Sequence, residues 1–278
     1  MKERVKSGFI MAPILVIVFL GGYALVAGVF ALTILALREY RGAFGEGKPS
    51  WRVLLASAIV LYGGFLIPAL RESILAPWMF VSVVLCFLSM FAVEKTSLAQ
   101  GLATFTGVFY VIFLAFHIVL VDAFYPVPKQ PLEIGGGIPL SGIHSYVWIV
   151  VLSAFGTDIF AYFTGVLIGK RKLCEKISPK KTVEGSIGGA LGSVLLCGLF
   201  GHFFLPAGLA DCIAIGLLGG VLSQVGDLSA SVLKRKLGVK DWGALIPGHG
   251  GVLDRIDSIL FTAPLTFYYL FIKTALGA

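Results

Sequence analysis

Gly8 to Leu37 reads GFIMAPILVIVFLGGYALVAGVFALTILAL, thirty residues without a charge. A helix rising about 1.5 Å per residue crosses about 30 Å of hydrocarbon in about 20 residues, so this run is too long for one comfortable span. Gly21-Gly22 interrupts it near the middle. It is either one tilted span or a tight pair, and the choice sets the topology of everything that follows.

Further apolar runs long enough to cross a bilayer fall near 51–70, 74–93, 98–121, 144–168, 185–205, 209–233 and 253–275. If the opening run is a pair, 19 of the 22 Lys and Arg residues face one side, and only Arg71, Lys129 and Lys273 face the other. Reading it as one span gives a weaker 16 against 6. The positive-inside rule favours the sharper split. It predicts an all-α polytopic integral membrane protein of about nine transmembrane helices, multi-pass in the cell (inner) membrane, with a cytoplasmic N-terminus and an external C-terminus. Because further spans follow and no convincing small-residue cleavage site appears, the first run reads as retained helices and not as a signal peptide.

Composition agrees with this class. With 58% hydrophobic and 13% charged residues and a mean hydropathy of +0.95, the chain cannot cover itself with a wetted surface and must be solvated by lipid. The net charge of +7 therefore reflects loop topology and gives no reason to expect nucleic acid as a partner. Cys86, Cys174, Cys197 and Cys212 show no metal-ligand spacing and read as small buried hydrophobes. No repeat of solenoid length and no linker to a soluble domain is visible. The stretch from Asp122 to Ser145, rich in Pro and Gly, reads as an irregular outer loop.

Ionisable groups inside spans mark function, since a carboxylate near the bilayer centre costs roughly 2.5–3.5 kcal/mol on insertion scales. Asp158 lies twelve residues before Lys170, and Asp227 seven before Lys234, in helices that lead into the two most basic loops. Both carboxylates are expected below the cytoplasmic surface, lining a polar cavity open to that side. Ser223, Asp227 and Ser231 recur at helical spacing, and Lys234 and Arg235 continue that stripe. A stripe of this kind suits a wet cavity, with a helix-packing face as the plainer alternative.

Between the last two apolar runs, residues 231–257 read SVLKRKLGVKDWGALIPGHGGVLDRID. The turn Pro247-Gly248-His249-Gly250-Gly251 precedes a helix expected to begin near Val252, a place where backbone N–H groups can hold an anion. Asp254 and Asp257, three apart, share a helical face beside it. Two carboxylates repel a phosphate unless a divalent cation stands between them, and oxygen ligands suit Mg²⁺. Arg255 would pair with a carboxylate or with phosphate. An Asp/Arg-rich helix cap is the alternative. In the other basic loop, Lys170 to Gly185, the cluster Ser178-Pro179-Lys180-Lys181-Thr182 suggests a polyphosphate clamp against the alternative of a plain topology signal.

The run Ser231-x-x-Lys234-Arg235, Lys240-Asp241, Pro247-Gly248-His249-Gly250-Gly251, Asp254-Arg255-x-Asp257 resembles, without a gap, the signature of the phosphatidate cytidylyltransferases, or CDP-diacylglycerol synthases. Ser178-Pro179-Lys180-Lys181-Thr182-x-Glu184-Gly185 and Asp158-x-x-Ala161-Tyr162-x-x-Gly165 are similar to the same family, extending the likeness over residues 150–270. The resemblance implies that CTP and phosphatidic acid give CDP-diacylglycerol and pyrophosphate in the membrane, with Mg²⁺, one ion or two, and a homodimer as a further expectation. Asp227 and Asp254 are then expected to hold the metal, with Asp158 and Asp257 as second-rank ligands. Lys180, Lys181, Ser231, Lys234, Arg235, Lys240, Asp241, Gly250, Gly251 and Arg255 are expected to bind substrate, and His249 to assist the leaving pyrophosphate or to cap the turn. Residues 1–140 would form a scaffold and candidate oligomer contact, and 141–278 would carry the site, in one integrated membrane domain. Two alternatives stand beside this reading: an organic-anion transporter, and a CDP-alcohol phosphotransferase, whose Asp-Gly-x-x-Ala-Arg opening is not found in the sequence.

Overall fold

Gly21 ends the first helical stretch, residues 15–20, with a positive φ of 62°, and Gly22 follows with φ 52°, so the break expected at this pair is real. Asp122 fixes it: its carboxylate accepts the Gly22 amide at 2.7 Å. The computed structural model describes residues 15–92, 94–125, 133–134, 138–139, 145–205, 208–245 and 250–277.

From this break run helices α1 (Gly22–Gly42), α2 (Trp51–Leu66), α3 (Leu75–Leu88) and α4 (Leu98–Gly107), then a π-helical turn, π1 (Val108–Phe113), and α5 (Leu114–Phe124). Two minimal strands, β1 (Glu133–Ile134) and β2 (Ile138–Pro139), pair antiparallel in the loop expected to be irregular. The second half holds α6 (Tyr146–Ile168), the hairpin β3 (Lys172–Cys174) and β4 (Ser178–Thr182), α7 (Val183–Phe204), α8 (Leu209–Lys236), α9 (Leu253–Ile256) and α10 (Ile259–Ala275). Among the described residues, five helices are long and apolar enough to cross a membrane: α1, the continuous α4–π1–α5 unit, α6, α7 and α8. The helices α2, α3 and α10 are apolar but shorter. Outward-facing side chains such as Phe80 on α3, Leu167 on α6 and Phe91 just after α3 are each more than 70% exposed, which only lipid can solvate. The chain is a mostly helical membrane protein.

Two features depart from the sequence reading. The basic loop after α6 is a β-hairpin, with Lys172 opposite Thr182 and Cys174 opposite Ser178. The last apolar run is also not one helix. It breaks between α9 and α10 at Asp257 and Ser258, where the Asp257 carboxylate turns back to accept the Ser258 amide at 2.7 Å.

Small residues pack the second half. Gly185 of α7 lies against Gly165 of α6, and Ser193 Oγ donates to the Gly216 carbonyl of α8 at 2.7 Å. Membrane helices approach closely through such residues. In the first half, aromatic rings fill the core: Tyr62 and Phe65 both meet Phe116 edge-on, and Tyr62 Oη lies 2.9 Å from Thr33 Oγ1. His117 is buried against the Phe113 carbonyl, in keeping with a structural role. Cys86, Cys197 and Cys212 are buried and Cys174 is half-buried; all four are free thiols.

Contacts of charged side chains group toward the two ends of the bundle. At the starting end of α1, Gly22 meets Asp122, Ser145 Oγ donates to Asp122 at 3.3 Å, and the Tyr23 hydroxyl lies 3.4 Å from Arg71. At its other end, Glu39 reaches the start of α9. Lys273 and Tyr269 of α10 hold the buried Asp211 in the first turn of α8, sixteen residues from Asp227 and so about 24 Å along that helix.

Candidate active site

Helix α8 organises the site, because Asp227, Ser231 and Lys234 fall on one face over two turns. At Ser223 that face is packed, the side chain being fully buried. Gly226 brings α8 against the α9–α10 break. A Cβ there would stand 2.6 Å from the Asp257 carbonyl oxygen, so glycine allows the approach that sets Asp227 beside Asp257. Asp227 itself is 26% exposed and forms an ion pair with Lys181, equally exposed, which reaches across from β4.

The hairpin carrying Lys181 is held at its base. Thr182 caps α7 by accepting the Gly185 amide at 3.1 Å, and the Glu184 carboxylate accepts the amides of Lys170 (3.0 Å) and Arg171 (3.2 Å). This anchoring presents both lysines of the Ser178–Thr182 cluster to one cavity of about 430 Å³. Asp158, Lys172, Lys180, Lys181 and Gln224 line it on its polar side, and Tyr162 and Val166, each 67% exposed, line its apolar rim. That volume lies within the usual range of small-ligand sites, about 300–1,000 Å³.

The turn before α9 is built around two carboxylates. Asp254 Oδ1 accepts from Lys234 Nζ at 2.6 Å, while its Oδ2 accepts the amides of Trp242 (2.9 Å) and Gly251 (3.0 Å). Glu39 of α1 accepts the amides of Val252 and Leu253, each at 2.9 Å. The described amides at this helix start are taken up by the protein's own carboxylates, Asp254 and Glu39. Gly250, with φ 83°, and Gly251 therefore shape the turn, and Gly251 lies close enough to Glu39 that a Cβ would collide with it.

Asp158, Asp227 and Asp257 lie within electrostatic reach of one another, and Arg255 acts on Asp158. Asp257 is buried. Among the described residues, no three Asp, Glu, His or Cys side chains form a ready-made metal cage. Arg235, Lys240 and Asp241 are exposed beyond the end of α8, where Arg235 donates to the Val239 carbonyl at 3.4 Å. Ser231 is half-buried. His249, with Pro247 and Gly248, lies outside the described residues.

Sequence reasoning missed Glu39, Trp242 and Gln224. Glu39 carried one faint signal, an acid at the end of an otherwise apolar span; the others carried none.

The sequence model of the cytidylyltransferase family matches residues 2–273. The phosphatidate cytidylyltransferase of Synechocystis sp. is 33% identical, with 96% of each chain covered. That of Bacillus subtilis is 32% identical over 97% of each chain, and that of Thermotoga maritima 31% identical over 96% of this chain and 95% of its own. The chain belongs to the cytidylyltransferase family.

Proposed function

We propose that this enzyme transfers the cytidylyl group of CTP to phosphatidic acid, giving CDP-diacylglycerol and pyrophosphate. One observation carries the reading: the cavity joins Lys172, Lys180 and Lys181 to Asp158 on one side and the lipid-exposed residues Tyr162 and Val166 on the other. A phosphate on two acyl chains fits such a boundary, with its head group among cations and its chains in the bilayer. Extracting the lipid into water would cost about 0.8 kcal/mol per CH₂. Full-length similarity to three proteins named phosphatidate cytidylyltransferase supports the same substrate and leaves the transporter alternative without a supporting observation.

In this reading a phosphatidate oxygen attacks the α-phosphorus of CTP and the bond to pyrophosphate breaks. A phosphate monoester is largely ionised near pH 7, its second pKa being about 6, so no strong base is required. What the site must supply is positive charge and alignment for two polyanions. Lys180 and Lys181 provide charge from the hairpin. Lys234 is committed to Asp254 and holds the turn.

The donor set fits Mg²⁺, which is usually bound through one or two carboxylates together with substrate phosphates. Asp254 already accepts three protein hydrogen bonds of the roughly four a carboxylate can take, so we assign the metal to Asp227 and Asp257, with Asp158 supporting. When bound, the ion supplies charge neutralisation at the phosphates.

Nine spans remain the preferred topology. With the Gly21 turn, Arg71 and Asp122 grouped at one end of α1 and Glu39 and the site at the other, both supports point the same way. The cation asymmetry then makes the site cytoplasmic. The test is direct: purified protein, labelled CTP and phosphatidic acid in detergent should yield labelled liponucleotide. A folded protein that forms none would refute the assignment.

A further inference from the structure

Four buried side-chain polar atoms lack a hydrogen-bond partner among the described residues: Tyr110 Oη, His117 Nε2, Ser223 Oγ and Trp242 Nε1. Leaving such a group unpaired is costly, so each calls for an explanation. Three of these residues belong to the site. Trp242 gives its backbone amide to Asp254, Ser223 sits one turn before Asp227, and Tyr110 lies within electrostatic reach of Asp227, Asp254 and Asp257 together.

Tyr110 is also held where it stands. It belongs to π1, a form of helix that is rare and concentrates at functional sites. Its neighbours Val108, Val111 and Ile112 are fully buried, and Gly107 just before it fits against Tyr40 and Leu54 so closely that a Cβ would lie 2.9 Å from each. The hydroxyl is buried away from water, and none of the carboxylates near it accepts from it among the described residues. Asp254 is taken by Lys234, Trp242 and Gly251, Asp227 by Lys181, and one oxygen of Asp257 by Ser258. A tyrosine hydroxyl can donate as well as accept, and toward a phosphate oxygen, which only accepts, it serves as the donor.

We infer that Tyr110 contacts substrate, its hydroxyl donating a hydrogen bond to a phosphate oxygen bound beside Asp227 and Asp257. The inference rests on the reaction proposed above. That phosphate belongs either to CTP or to the lipid, and kinetics separate the two.

Tyr110→Phe removes only the hydroxyl. Since that group has no partner in the free protein, the melting temperature without substrate should stay the same or rise. The specificity constant kcat/KM should fall roughly ten- to a hundredfold, as expected for losing a hydrogen bond to a charged group. A CTP contact raises KM for CTP and shrinks the thermal shift produced by CTP with Mg²⁺. A lipid contact raises KM for phosphatidic acid and leaves that shift intact. Tyr62→Phe is the control: its hydroxyl is paired with Thr33 at 2.9 Å, so that variant should melt lower with unchanged KM values. Wild-type kinetics in Tyr110→Phe, or a drop in melting temperature like that of Tyr62→Phe, would overturn the inference alone. An inactive wild-type protein would instead overturn the reaction and this inference with it.

Discussion

The Leu253 amide donates to Glu39 Oε2 at 2.9 Å across 214 residues of sequence, and the Val252 amide does the same to Oε1. A side chain from the first fully described span thus caps the short helix that carries Asp254, and the first half of the protein holds the site in register.

Glu39→Ala should therefore do two things. It leaves two partly buried amides without an acceptor, costing about 1–2 kcal/mol, which a thermal melt will register. It also frees the turn that presents Asp254 and Asp257, so turnover should drop more than tenfold. Glu39→Gln keeps one carbonyl oxygen and should fall between wild type and Glu39→Ala in both measurements. Wild-type melting and turnover in Glu39→Ala would mean that the cap is incidental.

Two of the ion pairs of α8 should separate chemistry from stability. Asp227 and Lys181 are each 26% exposed, and exposed pairs contribute about 0–1 kcal/mol, so Asp227→Asn or Lys181→Met should scarcely change the melt. Turnover should nonetheless fall about a hundredfold or more, because the charges act on phosphate. At the far end of the helix, Lys273→Met strands the buried Asp211 carboxylate, to which the Tyr269 hydroxyl still donates. That variant should melt lower yet keep its kcat. If Lys273→Met lost turnover, or Asp227→Asn kept it, the division of labour along α8 would be wrong.

What the sequence disclosed follows from the range of the interactions involved. Helix positions were legible because lipid solvation imposes long apolar runs, and the Gly21-Gly22 break because glycine tolerates positive φ. Asp158, Asp227, Lys181 and Asp254 stood out because charge near a bilayer is expensive. The partners of those groups were not legible. Lys234 with Asp254, Lys181 with Asp227 and Glu39 with α9 are long-range choices that no local pattern encodes. The β3–β4 hairpin was hidden for another reason: its short strands are charged, without the alternation that marks a half-buried strand.

Chelation tests the metal assignment. Asp227 and Asp257 are a pair of oxygen donors without a third carboxylate completing a cage among the described residues, so the ion should bind through substrate phosphates as well. EDTA should stop CDP-lipid formation and added Mg²⁺ restore it. Asp257→Asn should raise the Mg²⁺ concentration for half-maximal rate by about tenfold or more, whereas Asp254→Asn should act mainly through loss of the turn and of stability. Undiminished turnover in chelator would remove the metal from the scheme.

Sidedness follows from α1. Its two ends mark the two faces of the bundle, Gly22 with Asp122 at one and Glu39 with α9 at the other, and Lys181, Asp227 and Lys234 gather toward the Glu39 end. Cationic loops are retained on the cytoplasmic side. CTP added to sealed inside-out vesicles should thus be consumed at once, while sealed right-side-out vesicles should leave it untouched until detergent opens them. Equal rates in the two preparations before detergent would place the site on both faces or reverse the orientation, and either result would undo the nine-span arrangement.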